Sequence, residues 1–149
     1  MIRTLRISAL AISLIIIALF SYGATIGYIS NYEIVITHEN RKAQIFAYRG
    51  RVTALHTNYN EDEEIVSQWR ISSWQLLFGH QWIRIFESRE QLFGVVSDDK
   101  VTQENLLSQH LWFRFSRIER FGDTIYIWDN HPVPTLYEGK IKGKLLLLK

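Results

Sequence analysis

From Ile7 to Ile29 the chain carries no charged side chain, and this limits its architecture more than any other feature. A helix over that run would be about 35 Å long at 1.5 Å per residue, enough to cross a hydrocarbon core of about 30 Å. A core helix of a globular domain would show a polar face at 3.6-residue spacing, and this run has none. Tyr22, Tyr28 and Tyr32 cluster at its far end, where amphipathic rings suit a membrane–water boundary. The expectation is a retained membrane anchor over 1–31, followed by a soluble domain over 32–149. The competing reading is a cleaved signal peptide with a small-x-small site at Ser21-Tyr22-Gly23, but its apolar core would be long for that role.

Arg3 and Arg6 directly precede the run, whereas Glu33 opens the other flank. The positive-inside rule then puts the N-terminus in the cytoplasm and the C-terminal domain outside, periplasmic or extracellular. Gly23 and Gly27 form a G-x-x-x-G pair that strips one helix stripe of side chains. Such a stripe lets another helix backbone approach, so the expected partners are membrane lipid and a protein partner or second copy through the helix.

Of 17 Lys and Arg, all but Arg3 and Arg6 lie beyond the run, where they balance 15 Asp and Glu. A neutral domain lacks the concentrated basic face of a nucleic-acid binder, so none is expected as partner. With no cysteine, disulfides, thiolate catalysis and Cys-ligated zinc are excluded.

Aromatic content of 13% leans towards β structure. The clearest pattern is a meander of Glu33–His38, Ala43–Tyr48 and Val52–Thr57. A four-residue loop pairs His38 with Ala43 and Ile36 with Ile45. A two-residue Arg49-Gly50 turn pairs Tyr48 with Arg51 and Ala43 with His56. One face then collects Ile34, Ile36, Ala43, Ile45, Ala47, Val52 and Ala54, as a half-buried antiparallel sheet requires. Further strands are expected at 66–77, 81–87, 91–97, 111–118, 124–128 and 140–148, with one short helix at Val101–His110 capped by Thr102. In the 111–118 strand, Leu111, Phe113 and Phe115 alternate with Trp112, Arg114 and Ser116, the apolar set being expected inward. The fold class is mainly β: one N-terminal transmembrane helix, then a small antiparallel β-sandwich or open barrel with one short helix.

Chemical signatures are sparse. The histidines His38, His56, His80, His110 and His131 show no metal spacing, and His38 and His56 read as edge residues with exposed rings. The acidic run 61–64 lacks the glycine a calcium loop needs and reads as a solvated loop. No nucleophile elbow or phosphate loop occurs, so no catalytic residue, metal or cofactor is nominated, and an enzyme is not the favoured reading. Trp69 and Trp74 have opposite parity, which sends one to the core and one outward. Trp74 and Trp82, with the alternating Lys140, Lys142 and Lys144, make up the candidate interaction surface, although such a lysine row also protects an edge strand from pairing. The functional expectation is a membrane-anchored, non-enzymatic interaction module, an accessory or assembly subunit. The alternatives are a surface-tethered ligand-binding domain, for glycans among other ligands, and an anchored hydrolase.

Overall fold

The computed structural model describes residues 2–38, 40–94, 111–130 and 134–147, with side chains from residue 6 onward. The expected helix at Val101–His110 lies outside the described residues. One helix, α1 (Ile2–Ile29), leads into eight strands: β1 (Asn31–His38), β2 (Arg41–Tyr48), β3 (Arg51–Tyr59), β4 (Ile65–Phe78), β5 (Gln81–Phe93), β6 (Phe113–Phe121), β7 (Thr124–Asp129) and β8 (Thr135–Lys144). Each strand pairs antiparallel with its sequence neighbour, and β8 returns to pair with β1. The sheet is therefore a closed up-and-down barrel, rather than a sandwich or an open barrel. Closure leaves no edge strand, so Lys140, Lys142 and Lys144 guard no edge; they stand exposed on the outside of β8.

The β2–β3 turn follows the expected geometry. Arg49 and Gly50 both take positive φ, 49° and 80°, as a tight hairpin turn between right-twisted strands requires. Tyr48 pairs with Arg51 and Ala43 with His56. The β1–β2 connection is shorter than expected: His38 pairs with Arg41 and Ile36 with Ala43. That slip of two residues preserves parity, so the apolar face survives intact as barrel interior. Ile34, Ile36, Ala43, Ile45, Ala47, Val52 and Ala54 are all buried in one cluster with Leu77, Trp82, Ile118, Ile125, Ile127 and Ile141. Eight strands enclose a space just wide enough to be filled by side chains or to hold one small ligand.

Two expectations about the later strands are corrected. Residues 81–87 and 91–93 form one continuous strand, β5, because bulges let it bend along the long partner β4. On β6 the apolar residues face out: Phe113 and Phe115 are 57% and 52% exposed, while Ser116 and Ile118 are buried.

Helix α1 is long and apolar enough to cross a membrane, but its run divides into two parts. Residues 6–21 are exposed, Tyr22 is the first to touch the barrel, its ring 6.1 Å from Phe78, and the helix from Ile2 to Ser21 extends about 30 Å. The last two turns pack on the barrel wall: Gly23, Gly27 and Ser30 are buried, and the helix contacts β4. The glycine stripe thus receives β4 of its own chain, Gly23 against Phe78 and Gly27 against Gln75, where the sequence reading placed a second helix. No linker separates helix from strand. Ser30 N–H donates to Ile26 O, and its hydroxyl accepts from Leu146 N–H at 3.1 Å, which ties the chain's end to the same corner.

A Cβ at position 27 would lie 2.6 Å from the Gln75 carbonyl oxygen, which is backbone and cannot yield cheaply. Gly27→Leu should therefore cost about 1–3 kcal/mol of stability by overpacking. The exposed Thr25→Leu should change it by less than about 0.5 kcal/mol. Denaturant unfolding of the full chain in detergent measures both; equal stabilities would show that the helix end does not bear on β4.

Candidate functional site

The barrel interior changes character along its axis. At the helix end the floor is sealed by Tyr32, Leu77, Trp82, Ile125 and Ile141, all buried. Gln75 crosses this layer: its Oε1 accepts from Tyr32 OH at 2.6 Å and Trp82 Nε1 at 3.1 Å, and its Nε2 donates to Gly27 O at 2.9 Å. Above the floor a cavity of about 90 Å³ opens towards the far end of the barrel. Isoleucines 36, 45, 71 and 127 form part of its wall; Arg41, Arg84, Arg89, Arg114, His56 and Asp129 supply the chemistry.

Strand geometry explains how the arginines come inside. On β5, Trp82, Arg84 and Phe86 share inward parity, pairing with Leu77, Gln75 and Ser73. Between Phe86 and Ser88 the register shifts, so that Glu87 is an extra residue opposite β4. A bulge inverts the alternation beyond it, which turns Arg89 inward opposite Ile71. On β6 and β7, Arg114 and Asp129 face the same space.

Asp129 is the one carboxylate lining the cavity among the described residues, and it is buried. Its Oδ1 accepts from Arg114 Nε at 2.7 Å, while Oδ2 lies 3.6 Å from Arg84 Nη2. Arg84 also donates to Ser116 Oγ at 3.4 Å and stacks 4.3 Å from the Trp82 ring centroid. Arg89 lies 4.1 Å from the Phe86 centroid. Aromatic faces hold both cations without using their in-plane donors. Arg84 Nε, Arg89 Nε and Arg89 Nη2 are buried with no hydrogen-bond partner among the described residues, as is Trp69 Nε1.

The electrostatics record the same excess. Burial pulls the Arg84 guanidinium down to about 10; Arg114 adds to this, and Asp129 and Tyr32 oppose it. Burial and Arg114 likewise pull Arg89 down to about 10. His56 is pushed down to about 3, first by burial and then by Arg41, Arg84, Arg114 and Arg89. Burial raises the Tyr32 phenol well above its usual range, with Arg84 opposing. A buried donor left unpaired costs about 1–3 kcal/mol, more when charged, so this set is incomplete as a purely structural core. Water can fill a polar cavity, but it carries no charge to offset guanidinium repulsion.

The residues nominated from the sequence are dispersed. Trp82 is 1% exposed and lies under Arg84, so it is no part of an outer surface. Trp74 does face out at 48%, with Arg51 over its ring, and Trp69 is its buried counterpart. Both histidines line the cavity: His38 is exposed at its open end, whereas His56, expected at an exposed edge, lies further in. The two do not share a partner: His38 opposes Arg41 and His56 opposes Ala43. Residues 61–64 are exposed, with Asn60 Oδ1 accepting the N–H groups of Asp62 and Glu64. Among the described residues no three His, Cys, Asp or Glu side chains converge as a metal site would need. The arginines went unnominated; the signal present was an arginine in phase with Trp82 and Phe86.

Fold and cavity together define a class: a closed eight-stranded barrel, fused to a long apolar helix, with guanidiniums in its interior. Comparison with known proteins gives no match: no family model, curated protein or solved structure resembles the chain.

Because His56 ionises near 3 when folded but near 6.5 when unfolded, the unfolded chain takes up its proton first. Its contribution is complete above pH 6.5 and is lost as pH falls from there towards 3. Between pH 6.5 and 5 stability should drop by about 1.6 kcal/mol, the slope steepening towards a limit of about 1.4 kcal/mol per unit. His56→Gln should flatten that interval in unfolding titrations; an unchanged slope would place the ring in contact with bulk water.

Proposed function

We propose that the chain is a single-pass membrane protein whose barrel binds a small anion from the aqueous phase. The observation that carries this reading is the set of buried, unpartnered guanidinium donors at Arg84 and Arg89, facing a cavity that opens at the far end of the barrel. An interaction module gains nothing from such groups, which cost stability unless something completes them. The alternative of a tethered ligand-binding domain, raised by the sequence with glycans in mind, is therefore preferred, with the ligand class changed by the charge of the cavity. Its volume of about 90 Å³ fits an oxyanion group and a few carbon atoms. Drug-sized ligands occupy about 300 Å³ or more. Binding is favoured over turnover, because His56, held neutral, is a weak base and Ser116 is engaged by Arg84.

Helix α1 docks at the Gln75–Phe78 end of β4, whereas Arg41, Arg89 and Asp129 lie towards the opposite ends of their strands. A lipid of the anchoring bilayer would thus meet the sealed floor, so the ligand is a solute. Arg3 and Arg6 orient the helix with the N-terminus in the cytoplasm, since a whole domain crosses largely regardless of its charges. Protease added to intact cells or spheroplasts should then digest the barrel; full protection would reverse the orientation.

The test of binding uses the full chain in detergent, with sulfate as probe and chloride of matched ionic strength as control. Sulfate should raise the melting temperature, by about 2.7 kcal/mol of stabilisation at a hundredfold excess over Kd. Arg89→Leu should abolish that response while leaving the unliganded protein as stable or more stable, because it removes an unpaired buried cation. If sulfate, phosphate and carboxylates all fail to stabilise beyond chloride, the anion reading falls.

A further inference from the structure

We propose that the anion is a phosphomonoester in its dianionic form, its phosphate held by Arg84 and Arg89 and its organic substituent laid on the isoleucine wall. This rests on the anion reading above and specifies its chemistry.

The first argument is the geometry of the open donors. In a guanidinium, Nε and Nη2 lie on one edge and present two parallel N–H bonds, the fork that pairs with two oxygens of a carboxylate or phosphate. On Arg89 that edge is the one left unpartnered, and the Glu87 bulge turns it inward. Arg84 adds a third open donor, Nε, from another strand position in the same cavity. Three donors on two guanidiniums would draw on both oxygens of a single carboxylate at once. A phosphomonoester offers three terminal oxygens.

The second argument is charge. The Oδ1 of Asp129 is taken by Arg114 at 2.7 Å, and its Oδ2 stands 3.6 Å from Arg84, beyond hydrogen-bond range. No carboxylate pairs with Arg89 among the described residues. Two inadequately neutralised cations lining one cavity match a charge of −2, and a phosphomonoester carries about −1.5 to −2 at pH 7. The third is the wall. Ile36, Ile45, Ile71 and Ile127 face the same space as the guanidiniums, which suits a ligand with an apolar portion beside its charged head. Stacking on Trp82 and Phe86 holds both arginines in place before the ligand arrives, which lowers the ordering cost of binding.

The experiment is calorimetric titration of the full chain in detergent, at constant ionic strength, with n-butyl phosphate, inorganic phosphate, sulfate, butanoate and succinate. At pH 7.5 butyl phosphate should bind at least tenfold more tightly than butanoate, and more tightly than inorganic phosphate. Between pH 5 and 7.5 its affinity relative to sulfate should rise about tenfold, since its second ionisation falls near 6 while sulfate stays dianionic. Sulfate also corrects for His56 and every other titrating group of the protein. Arg89→Lys, which keeps the charge but loses the parallel edge, should weaken butyl phosphate at least tenfold. If sulfate binds but the relative pH dependence is flat, or if butanoate or succinate equals butyl phosphate, the phosphomonoester is wrong and the anion site stands. Equal binding of inorganic and butyl phosphate would remove the isoleucine wall from the proposal. Nanodiscs containing phosphatidic acid should give no stabilisation over phosphatidylcholine alone; stabilisation there would assign the phosphate to a lipid headgroup. If no anion binds, both readings fail together.

Discussion

The buried amide of Gln75 is the joint on which the remaining architecture depends. It accepts from Tyr32 and Trp82 inside the barrel and donates to the Gly27 carbonyl at the end of the apolar helix. A primary amide has acceptor and donor groups at opposite corners, so it can serve the barrel floor and a helix terminus together. The helix carbonyl it satisfies would otherwise be one of the orphaned groups at a helix C-terminus. The absent side chain of Gly27 is what allows the approach. Helix, floor and Trp82 are thereby fixed to one another, and Trp82 in turn supports Arg84.

Above that floor the barrel departs from a minimum-energy core. Filling it with aliphatic residues would have been more stable than burying arginines around a single aspartate. Ala43, Ala47 and Ala54 on β2 and β3 leave interior volume that the larger groups of β5 to β7 only partly occupy. The result is a cavity whose lining mixes isoleucines with cations, a bulge turning Arg89 inward. These features are costly one at a time and coherent only when a ligand completes them, which is the physical basis for reading the cavity as a site.

How far the sequence revealed this can be judged strand by strand. The β2–β3 hairpin was legible, because Arg49-Gly50 permits a two-residue turn and the alternation on both sides agrees with it. The first hairpin was read with its register two residues off; parity is fixed by side-chain alternation, whereas loop length is not. The strand expected at 111–118 has its faces reversed in the barrel. Phe113 and Phe115 look like core, yet they face out so that Arg114 can meet Asp129. The hydrophobic pattern cannot reveal an inward cation whose partner lies on another strand. Nor does it reveal a bulge, so Arg89 had the wrong parity for an interior residue.

What the sequence determined by itself was the apolar helix, the antiparallel strands and the inward face of the first three, since each follows from local periodicity. Barrel closure, the docking of Gly23 and Gly27 on β4, and the gathering of Arg84, Arg89, Arg114, His56 and Asp129 came only from tertiary structure. These depend on which strands meet across the sheet and where one residue is added to a ladder, and such long-range geometry leaves no periodic trace in a single chain.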